Sequence, residues 1–254
     1  MEWTPGYREF APPDWLRGCV ACLWTGVTGP ERAERTLVLP DGCVDLMWYQ
    51  GAPALLAGPD TGPAPVTQAP GSVLAGIRFR PGAAGAVLRL SLSETTDLRA
   101  AADQVPVLRG RLPSPDLPPG AALAALVELV SELAGQQPAD PAMTRAALLL
   151  GRREASVAGV AGSLELSERQ FLRRCEAAVG YGPATLRRVL RFRRFVSALD
   201  AGLPDGLAGA ALAAGYADQP HLSRECVRLS GLTPTGLART RRPVVGARHT
   251  GTVA

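Results

Sequence analysis

Up to residue 80 the apolar positions come in short runs cut by proline and glycine, at 19–27, 36–39, 44–49 and 72–79, and each run predicts a β-strand. After Pro81-Gly82 the spacing turns helical through Leu90 and again through Leu98, so one or two helices should pack on the strands. A proline-rich stretch at 108–120 has little periodicity and suits a linker or an irregular excursion. An Ala/Leu/Val helix is predicted at 121–133, ended by Gln136-Gln137-Pro138, and it could serve either neighbour or join protomers. From Pro141 to Pro243 every readable element is helical, and the tail beyond is expected to be disordered. The fold class expected is therefore α+β. A small strand-rich, barrel-like domain takes 1–112, a linker and connecting helix 113–140, an all-α domain 141–242, and a tail 243–254.

The all-α part repeats. Shifted by 51 residues, Phe171 falls on Leu222, Arg173 on Arg224, Cys175 on Cys226, Gly180 on Gly231, Pro183 on Pro234 and Leu186 on Leu237. Each copy reads as a short apolar helix, a turn, a second helix, a glycine that stops it and a proline that starts the next. In the first copy the short helix is at 157–162, and Ser167-Glu168-Arg169-Gln170 offers a capping box to the helix that follows. Its Phe171, Cys175 and Ala178 form an apolar stripe, with Arg169, Arg173 and Glu176 on another face. In the second copy the short helix is at 207–214, Gly215-Tyr216 makes the turn and Asp218 caps a helix with Pro220 in its first turn. There Leu222, Cys226 and Leu229 face inwards, leaving Gln219, Ser223, Arg224 and Arg228 on or beside the exposed face. A long helix at 183–201, with Arg187, Arg188, Arg191, Arg193 and Arg194, links the copies.

Charge sharpens this picture. Residues 1–140 hold 10 arginines against 15 acids, a balance of −5, whereas residues 141–254 hold 17 against 8, a balance of +9. There is no lysine, so every cationic side chain is a guanidinium, the group best suited to bidentate contacts with phosphate and guanine. A length of 254 residues suits two domains, and no run approaches the roughly 18 apolar residues that span a bilayer. The start of the chain does not read as a secretory signal, so a cytoplasmic location is expected, with no membrane partner. The five cysteines, odd in number, are then expected to be thiols.

These residues resemble the AraC/XylS family of transcription regulators over about 141–240. The strings that carry the resemblance are Ser167-x5-Arg173-x6-Gly180-x2-Pro183 and Ala211-x3-Gly215-Tyr216-Ala217-Asp218-x4-Ser223-Arg224-x6-Gly231-x2-Pro234. The resemblance implies a sequence-specific DNA-binding regulator with two helix-turn-helix units joined by the long helix, reading successive major grooves of double-stranded DNA. Matched position by position, Glu168, Arg169, Leu172 and Arg173 would face DNA from the first recognition helix. Gln219, Pro220, Ser223 and Arg224 would do so from the second, with Arg228 beside them. Two departures stand out: Cys175 and Cys226 replace an aromatic usually buried late in each recognition helix, and the arginines of the long helix are slightly displaced. Such a regulator implies a small-molecule effector or a dimerisation domain in front, and RNA polymerase as a partner if it activates. No clear heptad supports a homodimer.

The front domain, through the strings 39–46 and 76–82, resembles a poorly characterised domain often found before such DNA-binding units. Asp41, Asp45, Arg78 and Arg80 could line an effector pocket there, or Asp and Arg could form an internal salt bridge supporting the barrel. Cys19-Val-Ala-Cys22, with Cys43, invites a metal or thiol-sensor reading. On a strand, however, positions i and i+3 project to opposite faces, so the two thiols could share a metal only across a bulge. Neither a cofactor nor an enzymatic activity is expected: the histidines are only His221 and His249, lysine is absent, and no nucleophile elbow or phosphate-cradling loop is present. The alternatives left open are a DNA-associated methyl acceptor at Cys22 or Cys43, and a helical module binding an acidic protein.

Overall fold

The computed structural model describes residues 5–202 and 206–241, and by packing the chain divides into two compact units, Met1–Leu190 and Arg191–Ala254. The expected tail, 243–254, lies outside the described residues.

The first unit opens with eight strands: β1 Gly6–Phe10, β2 Val20–Val27, β3 Glu34–Val38, β4 Val44–Tyr49, β5 Ala52–Ala57, β6 Ala64–Gln68, β7 Val73–Phe79 and β8 Arg99–Ala101. Six form an antiparallel sheet in the order β1-β2-β7-β4-β5-β8, and β3 pairs with β6 as a separate two-stranded sheet. The four expected strands are β2, β3, β4 and β7. The other four carried weaker signals: every β1 residue is exposed, so no apolar alternation marks it, and β8 is three residues long. The pairing of the six-stranded sheet runs from β1 to β8 as its two edges, and with the β3–β6 pair it makes up the strand-rich domain expected from the strand pattern.

Alternation gives the six-stranded sheet two different faces. One carries Leu23, Ile77, Ala75, Leu46, Trp48 and Leu56 into the main core. Onto it pack α1 (Ala84–Val87) and α2 (Pro119–Gln136), the latter through Ala122, Leu126, Leu129, Val130 and Leu133. The helix that sequence could assign to either neighbour thus belongs to the sheet. The proline-rich excursion before it is fastened as well: Trp48 Nε1 donates to the Ser114 carbonyl at 2.9 Å, and Leu108 is fully buried.

The opposite face carries Cys22, Trp24, Leu74, Met47 and Tyr49. In register across the strands, Trp24 lies beside Gly76, which in turn lies beside Met47. The indole crosses Gly76 so closely that a Cβ there would meet ring atoms at 2.5 Å.

The helical region follows as α3 (Pro141–Leu150), α4 (Val157–Ser163), α5 (Glu168–Val179), α6 (Pro183–Asp200), α7 (Gly206–Ala214), α8 (Gln219–Ser230) and α9 (Pro234–Thr240). The 51-residue offset holds from each second helix onwards: α5 maps residue for residue onto α8, and α9 starts where Pro183 falls. Upstream it shortens. The buried pair Val160 and Ala161 matches Ala210 and Ala211 at an offset of 50. Likewise Met143, Ala146, Ala147 and Leu150 on α3 match Phe192, Phe195, Val196 and Leu199 on α6 at an offset of 49. Two single-residue insertions in the connections therefore separate the copies.

Gly76→Ala should lower stability by about 1–3 kcal/mol, because an added methyl in a packed site forces the Trp24 ring off its seat. Urea unfolding followed by tryptophan fluorescence measures it, and an unchanged midpoint would mean the ring has room to move.

Candidate nucleic-acid interface

Each reading helix is built by a cap, an apolar stripe and a left-handed stop. Ser167 Oγ accepts the Gln170 amide at 3.3 Å while the Gln170 side chain accepts the Ser167 amide at 3.0 Å, closing the expected capping box on α5. On α8 the Asp218 carboxylate accepts the His221 amide at 2.6 Å. Gly180 and Gly231 end the two helices at φ 97° and 71°, a conformation that costs glycine little.

The buried stripes are Phe171, Cys175 and Val179 on α5, and Leu222, Cys226 and Leu229 on α8. Val179 takes the place expected of Ala178, which is only half-buried, since a late-helix seam drifts between i+7 and i+8. Both cysteines fill the core position where an aromatic was expected: the Cys175 thiol contacts the Tyr181 carbonyl and the Cys226 thiol contacts Ser230 Oγ. Burial pushes the Cys175 thiol up to about 12 and the Cys226 thiol upwards too.

Outward from the stripes lie the sequence-named residues. Glu168, Arg169 and Arg173 are exposed on α5, and Leu172 between them keeps 44% of its surface in water. On α8 Gln219, Pro220, Arg224 and Arg228 are exposed and Ser223 is half-buried. The structure thus gathers the first four on one helix surface and the last five on the other.

Spacing alone did not reveal what holds α8. Arg191 of α6 donates to both oxygens of Glu225, at 2.5 and 3.2 Å, and lies over the Tyr216 ring, 4.8 Å from its centroid. Tyr216 meets His221 edge-on, and Arg194 donates to the Ala214 carbonyl at 2.8 Å, capping the end of α7. The signal available in sequence was Arg191 itself, one of a run of arginines, with nothing to single it out.

Within the first unit the trailing end of α5 rests on the strand-rich domain. Thr96 Oγ1 donates to the Gly180 carbonyl at 2.8 Å, and Gly85 of α1 runs so near the Ala177 carbonyl that an added Cβ would stand 3.0 Å from it. A side chain at Gly180 would meet Pro59 and Thr96 at 2.7 Å.

The candidate effector residues separate. Arg78 donates to Asp45 at 3.2 Å and lies 3.8 Å from Asp41 and 3.4 Å from Glu9, while Trp24 Nε1 donates to Asp45 at 2.7 Å. Cys22, Arg78 and Asp45 are register partners across β2, β7 and β4. Burial works against the Arg78 charge, but Asp45 and Asp41 outweigh it and hold its pKa well above the ordinary value; burial raises the Asp45 carboxyl, against the pull of Arg78. Arg80 is not in this cluster: it lies past the end of β7 and donates to the Arg17 carbonyl at 2.8 Å. Glu9 and Trp24 were missed, because membership depends on strand pairing.

The thiols of the front domain are buried on different sides. The bulge that a shared metal requires does occur between Val20 and Cys22, yet Cys19 joins the main core and Cys22 the opposite face. No group of three or more metal-ligating side chains occurs among the described residues. Burial raises the Cys22 thiol to about 12, which disfavours the thiolate that methyl transfer or sensing would use. No helix among the described residues is long and apolar enough to cross a membrane.

Residues 160–240 match the model of a helix-turn-helix domain, and residues 8–101 match a domain of unknown function, DUF6597. No curated protein matches the chain. Among solved structures, ToxT from Vibrio cholerae in a P21 crystal form is 12% identical, with 86% of this chain and 98% of that one covered and a TM-score of 0.47. ToxT from Vibrio cholerae O395 gives 12%, 87%, 99% and 0.46, and unsaturated fatty acid bound ToxT from strain SCE256 gives 12%, 85%, 94% and 0.43.

Arg78→Ala should cost about 2–4 kcal/mol, since it strands Asp45 without its cation, whereas Arg80→Ala removes a single bond worth about 1 kcal/mol. Chemical denaturation distinguishes them; equal losses would move the structural role from the cluster to the β7 end.

Proposed function

We propose that this chain, which carries a helix-turn-helix domain behind a DUF6597 domain, is a DNA-binding transcription regulator of the AraC type whose α5 and α8 are two recognition helices that enter successive major grooves of double-stranded DNA. The observation that carries this reading is their equivalence. Two helices of equal length, each capped by an oxygen side chain and stopped by a left-handed glycine, expose Arg173 and Arg224 at the same place. Glu168, Arg169, Leu172 and Arg173 read one half-site; Gln219, Pro220, Ser223 and Arg224 read the other, and Arg228 anchors on phosphate. Because the two sets differ, the bound site is not a palindrome.

The DNA-binding segment in this reading is 141–242 and the strand-rich domain regulates it. Support comes from the trailing end of α5, held by Thr96 and packed at Gly85, so that a change in the strand-rich domain reaches the first reading helix directly. A small-molecule effector, a second copy of the chain and, for an activator, RNA polymerase are the further partners that this reading names. The cluster of Arg78, Asp45 and Asp41 is read as a support of the sheet.

Arg173→Ala and Arg224→Ala should each remove base preference in one half-site only, by about 1–3 kcal/mol, or roughly fivefold to 150-fold. Selection of bound duplexes from a random library measures both, and loss at both half-sites in either variant would contradict the assignment. Affinity should also fall steeply with salt, as arginines on phosphates release counterions; salt-insensitive binding of an acidic protein instead would favour the interaction-module reading.

A further inference from the structure

Arg174 and Glu225 occupy the same position on the two reading helices, one residue after Arg173 and Arg224, and they carry opposite charges. Each is paired with a residue on, or capping, the helix that precedes its helix-turn-helix unit. Arg174 Nη2 donates to Asp140 Oδ2 at 2.6 Å, while Asp140 Oδ1 accepts the Ala142 amide and caps α3. Glu225 accepts from Arg191 of α6 through both carboxylate oxygens, and Arg191 Nη2 also lies 3.3 Å from His221 Nε2. The supporting helices are equivalent as well, since the four buried positions of α3 coincide with four of those on α6 at the offset of 49. At that offset Arg191 matches Ala142, two residues from Asp140.

We propose that Asp140–Arg174 and Arg191–Glu225 are positioning pairs of reversed polarity, each fixing the roll of one reading helix on its own support and denying it the other's. This rests on the reading of α5 and α8 as recognition helices. The apolar stripes cannot supply the distinction by themselves. Both open on a large apolar residue and a cysteine at matching positions and close on an aliphatic, Val179 and Leu229, only one position out of step, so shape separates the two stripes weakly. Charge does distinguish them. Arg174 set against Arg191, or Glu225 against Asp140, brings like charges together at a site already partly out of water. The roll matters because the paired residue adjoins the arginine that reads bases. The second pair is the more demanding of the two: its side chains are 11% and 12% exposed, against 38% and 30% for the first, so removing one member leaves a charge more deeply stranded.

Residue-resolved hydrogen exchange on the full chain tests the proposal without DNA, and duplex selection on the same variants follows its consequence. Arg191→Glu should speed exchange in α8 by at least about tenfold and leave α5 unchanged, with base preference lost in the second half-site alone. Arg191→Lys, and separately Arg191→Glu with Glu225→Arg, should bring α8 back to within about threefold of the parent protein. Asp140→Arg, rescued by Arg174→Asp, should do the same for α5 with a smaller change. Unchanged exchange in α8, an equal rise in both helices, or failure of both rescues overturns the proposal. A parent protein that selects no duplex but shows the exchange pattern overturns the DNA reading and leaves the pairs standing.

Discussion

Each reading helix has to bury a narrow stripe and leave the opposite face in water, and the rest of the helical region is arranged to meet that demand. Three residues per helix, Phe171, Cys175 and Val179 or Leu222, Cys226 and Leu229, are too few to fix a helix about its own axis by shape alone. Burial of an apolar stripe is favourable but has little directional content. The caps fix where each helix begins, the left-handed glycines fix where it ends, and the Asp140–Arg174 and Arg191–Glu225 pairs add direction in between.

The strand-rich domain answers a different constraint. Its six-stranded sheet is covered on one face by α2 and keeps on the other a charged row in which Arg78 is shared among Asp45, Asp41 and Glu9. A guanidinium taken largely out of water needs carboxylates and hydrogen bonds close at hand. Trp24 belongs to the same solution: it donates to Asp45 and lies so close against Gly76 that a side chain at that strand position would meet the ring. The first reading helix rests on this domain at its trailing end, where Thr96 and Gly85 meet the last turn of α5, and Glu168, Arg169, Leu172 and Arg173 of its first two turns stay exposed.

The sequence by itself determined the α+β class, the doubled helical unit, the caps at Ser167 and Asp218 and the residues that face outward from α5 and α8. All of these are local: a period of 3.6, a capping residue and a stop glycine act within a few positions of one another, so they can be read along the chain. The tertiary structure alone decided which strands pair, and hence that Glu9 and Trp24 join Arg78 while Arg80 does not. It also placed α2 on the sheet and chose Arg191 from among its neighbours as the partner of Glu225. These outcomes depend on contacts between residues some 20 to 70 positions apart, as in Trp24 to Asp45, Arg191 to Glu225 and Arg78 to Glu9. Side chains that look alike in sequence are distinguished there only by which one the packed chain brings within hydrogen-bonding reach.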